Sequence, residues 1–140
     1  MNKLRGETEI AVGDDKLPLR FSMNSMAILE NRLGAIVPEV KTVEDFFQDS
    51  VLKNVRCLRE CFIVGAMTAD KDLKQEDAYD MFADVSCSFA DLVDTLTLGM
   101  ASCLQNKSIS ELLADRDKAT SKKKRRGTGA KSSEPEQNAA

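Results

Sequence analysis

The chain contains no histidine and no tryptophan. Without histidine it lacks the side chain whose ordinary pKa lies nearest neutrality. Ser–His and Cys–His nucleophilic pairs and the commonest metal ligand go with it. Aromatic residues make up only 5% of the chain, so leucine, valine, methionine and phenylalanine must fill any core. No apolar run approaches the roughly 20 residues that a membrane helix requires. The opening MNKLRGETE lacks the apolar segment of a secretory signal. Together these read as a cytoplasmic chain without membrane contact. No GxxxxGK[ST] or GxGxxG sequence occurs, so nothing suggests a phosphate cradle. The four cysteines, Cys57, Cys61, Cys87 and Cys103, include no CxxC pair. A disulfide framework is not expected in a cytoplasmic chain. Cys57 and Cys61, beside Leu58 and Phe62, read as small buried hydrophobes rather than metal ligands. No cofactor, no metal and no enzyme are implied.

Acidic pairs occur at Asp14/Asp15, Glu44/Asp45 and Glu76/Asp77. Each lies at a turn or a helix start, where local structure accounts for acids. Charge is divided unevenly. Residues 1–117 hold 13 basic and 21 acidic side chains, a net charge of −8. Residues 118–140 hold seven basic and two acidic ones, a net charge of +5. An acidic body disfavours nucleic acid as a partner of the folded part.

Organisation starts with a β-hairpin over 7–21. Thr8, Ile10 and Val12 share one strand face, and Leu17, Leu19 and Phe21 share the other strand's, with Arg20 pointing away. Gly13-Asp14-Asp15 supplies the turn, and Pro18 marks an edge strand. An isolated hairpin is marginal in water, so helices must cover it. The spacing predicts a first helix capped by Ser22 or Asn24, with Met23, Met26, Ala27, Leu29 and Leu33 inward, Glu30 and Arg32 outward, and a stop at Gly34. Thr42 starts a short second helix bearing Phe46 and Phe47. Ser50 starts a third, with Val51, Val55, Leu58 and Phe62 on one face and Lys53, Arg56 and Arg59 opposite. Asp72 caps a fourth, whose inner face is Ala78, Met81, Phe82 and Val85. The fifth carries a stripe of Phe89, Leu92, Val93, Leu96, Met100, Cys103 and Leu104, with Gly99 marking close packing or a bend. Ser108-Ile109-Ser110-Glu111 has capping-box spacing and opens a final short helix with Leu112 and Leu113.

The expected fold is therefore mainly α: a compact bundle of about five helices with a small N-terminal hairpin. It occupies 1–117, with the helices over 22–113, followed by a disordered basic tail over 118–140. Lys122, Lys123, Lys124, Arg125 and Arg126 are candidate anion-binding residues. No aromatics are interleaved with them, so base stacking is not available. The plain reading is a solvated tail.

The stretch RGETEIAVGDDKLPLRFSMNSMAILENRLG resembles the start of the tail assembly chaperone family of phages and gene transfer agents, also labelled gene transfer agent tail tube proteins. The matching positions are Arg5, Gly6 and Glu7, then Leu19, Leu29, Glu30, Leu33 and Gly34. The pattern continues through the helix over 51–67, the start Lys74-Gln75-Glu76-Asp77 and the helix over 89–104. The cysteines in these helices and the basic tail are not part of that pattern. The resemblance implies a small non-enzymatic protein that binds the tape-measure protein, keeps it soluble, and gives way to tail-tube subunits. Self-association is a further partner class. Such a protein acts in the cytoplasm of the host or producing cell and is absent from the mature particle. Candidate partner-binding residues are Met23, Met26, Phe46, Phe47, Leu112 and Leu113. Two other readings stand beside it. One is a structural tail-tube component, which should be β-rich. The other is a small helical adaptor that binds nucleic acid through its basic tail.

Overall fold

The computed structural model describes residues 6–117. The expected disordered segment over 118–140, with its basic run Lys122–Arg126, lies outside the described residues. Residues up to Ile109 form one compact unit, and a second begins at Ser110.

The first unit is helical with one hairpin, as the hydrophobic periods predict. Strands β1 (Glu7–Val12) and β2 (Asp15–Arg20) pair antiparallel, with Ile10 opposite Leu17 and Thr8 opposite Leu19. Gly13, at φ +58°, takes the first position of a two-residue loop, where the positive angle suits glycine. Ile10, Leu19 and the following Phe21 are buried, and Arg20 faces solvent. The hairpin tip is held from a distance. Val85 bridges Val12, the Gly13 N–H donates to the Asp84 carbonyl at 2.8 Å, and the Ser86 N–H donates to the Ala11 carbonyl at 3.0 Å.

Helix α1 is Met23–Ile36. Ser22 caps it: its Oγ accepts from the Ser25 N–H, and the Ser25 Oγ accepts from the Ser22 N–H. The helix passes through Gly34 instead of stopping there, and ends at Val37 in extended backbone. Gly34 serves packing: a Cβ there would lie 3.3 Å from the Val40 carbonyl oxygen. The inner face is Ser25, Met26, Leu29 and Leu33. Met23 and Ala27, expected inward, face solvent, because the hairpin sets the rotation of the helix.

The region expected to hold two helices holds three pieces: a 3₁₀ turn over Val43–Phe47, a single turn α2 (Asp49–Leu52), and α3 (Val55–Ala69). Ser50 starts no long helix. The Asn54 side chain accepts from the Arg56 and Cys57 N–H groups at 3.0 and 3.3 Å, which opens α3 afresh. Val51 therefore stays buried in α2, while Val55, first in α3, faces solvent. From Cys57 to Ala66, α3 is buried on nearly all sides except at Arg59. Helix α1, strand β2 and helix α4 all pack on it.

Helix α4 spans Gln75–Ala83, with Lys74 and not Asp72 at its cap position. Asp70 accepts from the Asp72 N–H instead and shapes the preceding turn. Phe82 of α4 packs on Phe62 of α3, with ring centroids 5.4 Å apart and planes tilted by 57°. Helix α5 (Phe89–Gln105) is capped by Ser88, lies against β1, and ends at Asn106 in the left-handed region. Gly99 marks close packing, not a bend. A Cβ there would approach the Phe21 ring to 2.8 Å, and so would one on Gly65 of α3. The Phe21 ring thus sits between two helices at their glycines. In the second unit the described residues are helical as far as 117.

Candidate functional site

The candidate partner-binding residues divide by exposure. Met26 and Phe46 are fully buried core residues and form no part of an exposed face. Phe47 is half-buried and packs on the core. Leu112 is half-buried, and Leu113 is exposed in the second unit. Met23 is 67% exposed.

Three further large apolar residues are exposed: Val55 at 55%, Phe89 at 48% and Ile28 at 41%. Periodicity missed these. Val55 and Phe89 each follow directly on a capping residue, Asn54 or Ser88. A capping residue starts the helix, so the helix's own axis, not the apolar spacing, decides where its first side chain points. The cap itself was the usable signal. Ile28 is exposed on a different flank of α1 from Met23 and Ala27.

A cavity of about 390 Å³ opens beside Ile28. It lies where the end of β2, the start of α1 and the end of α3 converge. Arg20, Arg32 and Lys71 give it three cationic side chains, and Ile28, Val64 and Met67 give it apolar ones. No acidic residue lines it. Arg32 is committed elsewhere. Its guanidinium donates to the Glu60 carboxylate at 3.0 Å and to the Gln75 amide oxygen at 2.7 Å. Sequence reading placed Arg32 on the outer side of α1 without a partner. Glu60, inside the most buried helix, is what draws it in.

Glu60 is buried and gathers three helices. Tyr79 of α4 donates its hydroxyl to the second Glu60 oxygen at 2.8 Å, and the Arg59 Nε lies 3.5 Å from that same oxygen. The Arg59 guanidinium also sits over the Tyr79 ring, 5.0 Å from its centroid. The hydrogen bond to Glu60 chiefly raises the Tyr79 phenol above its ordinary pKa, with desolvation adding to it. The fold favours the neutral phenol. That contribution is therefore complete below the ordinary phenol range near pH ~10, and is lost as pH rises through the higher folded value. Tyr79 is the chain's single tyrosine, and there is no tryptophan. A tyrosinate absorbance titration therefore reads this site alone. The midpoint should lie above that of the unfolded chain, and Glu60→Gln should bring it down.

Burial pushes the thiols of Cys57, Cys61 and Cys87 upward, Cys61 most of all. Cys57 and Cys61 are core residues, so neither is a ready nucleophile. Among the described residues, no three His, Cys, Asp or Glu side chains come together to hold a metal ion. No described helix is long and apolar enough to cross a membrane. No family model, curated protein or solved structure matches the chain.

Proposed function

We propose that this protein is a non-enzymatic tail assembly chaperone, which binds tape-measure protein and tail-tube subunits in the cytoplasm and is absent from the finished particle. The observation that carries the reading is the exposure of Met23, Ile28, Val55 and Phe89 on helices of a net acidic body. A chaperone for a long apolar helix needs reversible apolar contacts and a surface that stays in solution. The resemblance of residues 5–34 to the family agrees with it. Partition of labour in the fold supports it too: the cysteines pack, and the buried acid Glu60 is tied to Arg32 and Tyr79.

The tube-subunit reading is less well supported. Tube rings close through sheets, and the described residues contain one two-stranded sheet. The test is co-expression with the long helical tape-measure protein. That client should move into the soluble fraction and co-purify with this chain. A client that stays insoluble, or soluble but unbound, removes the reading.

A further inference from the structure

The cavity where β2, α1 and α3 meet is lined by hydrogen-bond donors that the fold itself does not use. We infer that it binds a small organic anion: an oxyanion head, carboxylate or phosphate monoester, joined to a hydrocarbon body. The head lies at Arg20, Asn24 and Lys71, and the body lies against Ile28, Val64 and Met67. The inference goes beyond the chaperone reading and does not rest on it, since the site needs no client.

Three observations carry it. The first is size. A volume of about 390 Å³ falls within the range of small-molecule sites, about 300–1,000 Å³. The second is a surplus of donors. No carboxylate lines the walls, although residues 1–117 carry a net charge of −8. Arg32 is committed to Glu60 and Gln75. The side chains of Arg20, Asn24 and Lys71 have no hydrogen-bond or ion-pair partner among the described residues. Glu7 stands opposite Arg20 in the strand register, yet the two form no ion pair. Asp70 and Asp72 flank Lys71 in sequence, and the Asp70 carboxylate accepts from the Asp72 N–H at 3.0 Å. Neither aspartate lines the cavity. These three carboxylates weaken the long-range field, so selection for an anion comes from direct, charge-assisted hydrogen bonds to its head. The hydroxyls in the lining are closed locally. Ser25 donates to the Ser22 carbonyl at 2.8 Å, Thr68 donates to the Val64 carbonyl at 2.7 Å, and the Ser22 Oγ accepts from the Ser25 N–H. The third observation is the apolar wall. Val64 is buried, Met67 is half-buried and Ile28 is exposed. A bare ion would leave that wall in water, and a hydrocarbon body covers it.

The probes are hydrocinnamate and phenyl phosphate. Hydrocinnamyl alcohol supplies the body without charge, and propionate and inorganic phosphate supply the heads without the ring. Each is titrated into the nitrogen-15-labelled full chain and followed by amide NMR. Either aromatic anion should shift the signals of Ser22, Asn24, Ser25 and Lys71. It should bind about tenfold more tightly than the alcohol, the worth of one charge-assisted hydrogen bond. It should also bind about tenfold more tightly than its own ringless head, because the ring covers the apolar wall. The tighter of the two anions identifies the head. Arg20→Gln with Lys71→Gln should abolish the preference over the alcohol and leave the circular dichroism spectrum unchanged, as both side chains are exposed. Ile28→Ser should weaken the anions and the alcohol alike. An alcohol that binds as tightly as the anions overturns the inference. A ringless head that matches its aromatic counterpart shows a plain ion site and overturns it as well. So does a preference that survives the double glutamine variant, or shifts that cluster around Val55 or Phe89 instead. Amide signals that stay fixed at millimolar probe show a cleft that holds only solvent, and also overturn it.

Discussion

Replacing Phe21 with alanine should remove about 3–5 kcal/mol of stability, the range for losing a buried aromatic ring. That is a large share of the roughly 5–15 kcal/mol that holds a domain of this size together. The magnitude follows from position. Phe21 is the last residue before the Ser22 cap, so its ring leaves the hairpin and enters the gap between α3 and α5. Gly65 and Gly99 line that gap on its two sides, and a Cβ on either would come within 2.8 Å of the ring. In an exposed helix, Gly→Ala gains about 1 kcal/mol. Here the sign should reverse. The ring is stiff and enclosed on both sides, so Gly65→Ala and Gly99→Ala should each destabilise. The decisive measurement is a urea-unfolding cycle. Phe21→Ala combined with Gly99→Ala should cost clearly less than the two single losses added together, because the smaller side chain vacates the space the new methyl needs. Strict additivity would show that the ring and the glycine are not in conflict.

Gly6→Ala should be comparably severe. Gly6 has φ +78°, and a Cβ on it would lie 2.1 Å from the Phe21 carbonyl oxygen, a backbone atom with little room to move. Left-handed backbone costs an L-residue about 1–2 kcal/mol, and the overlap adds about 1–3 kcal/mol. The same glycine closes a polar clamp. Its carbonyl accepts from the Phe21 N–H at 2.7 Å, and its N–H donates to the Ser102 Oγ at 2.6 Å. Ser102, fully buried in α5, in turn donates its own hydroxyl to the Lys107 carbonyl at 2.5 Å. Ser102→Ala would strand a donor and an acceptor at once, at about 1–3 kcal/mol for each buried group. Thermal melts should place Ser102→Ala well below the parent. Ser102→Cys, which keeps a weak donor and acceptor, should fall between them. A Ser102→Ala melting point equal to the parent's would mean that water replaces the hydroxyl without loss.

Only the packing around Phe21 was half legible in the sequence. Gly99 invited a reading of close packing or a bend. What approaches is the aromatic ring that ends the hairpin, and no local pattern contains that pairing. Ser102 drew no notice at all. A serine among apolar residues on a helix reads as an interruption until its partner, 96 positions earlier, is known. The cavity beside Ile28 escaped for the same reason. Arg20, Arg32 and Lys71 sit on a strand, a helix and a loop, and each alone reads as a solvated charge.

Where the sequence misled, the cause was competition between neighbouring signals. The spacing Val51, Val55, Leu58, Phe62 fits one helix, yet Asn54 takes the two N–H groups that start a new one. Gly34 looked like a stop, but its small size served the Val40 carbonyl, and the helix ran on to Ile36. Met23 and Met26 looked equivalent, and the path of the chain out of β2 turned one to solvent and the other to the core.

By itself the sequence determined the class: an N-terminal hairpin from alternating residues around Gly13, then amphipathic helices set by 3.6-residue spacing and a side-chain cap at Ser22. These are local matters, decided by neighbours within about one turn. Only the tertiary structure decided which helix is central, which apolar residues stay in water, and that a buried Glu60 binds Arg32 and Tyr79 while leaving Arg20 and Lys71 facing an open cavity. Those facts depend on how elements far apart in the chain are rotated against each other, and packing fixes that rotation for all of them together.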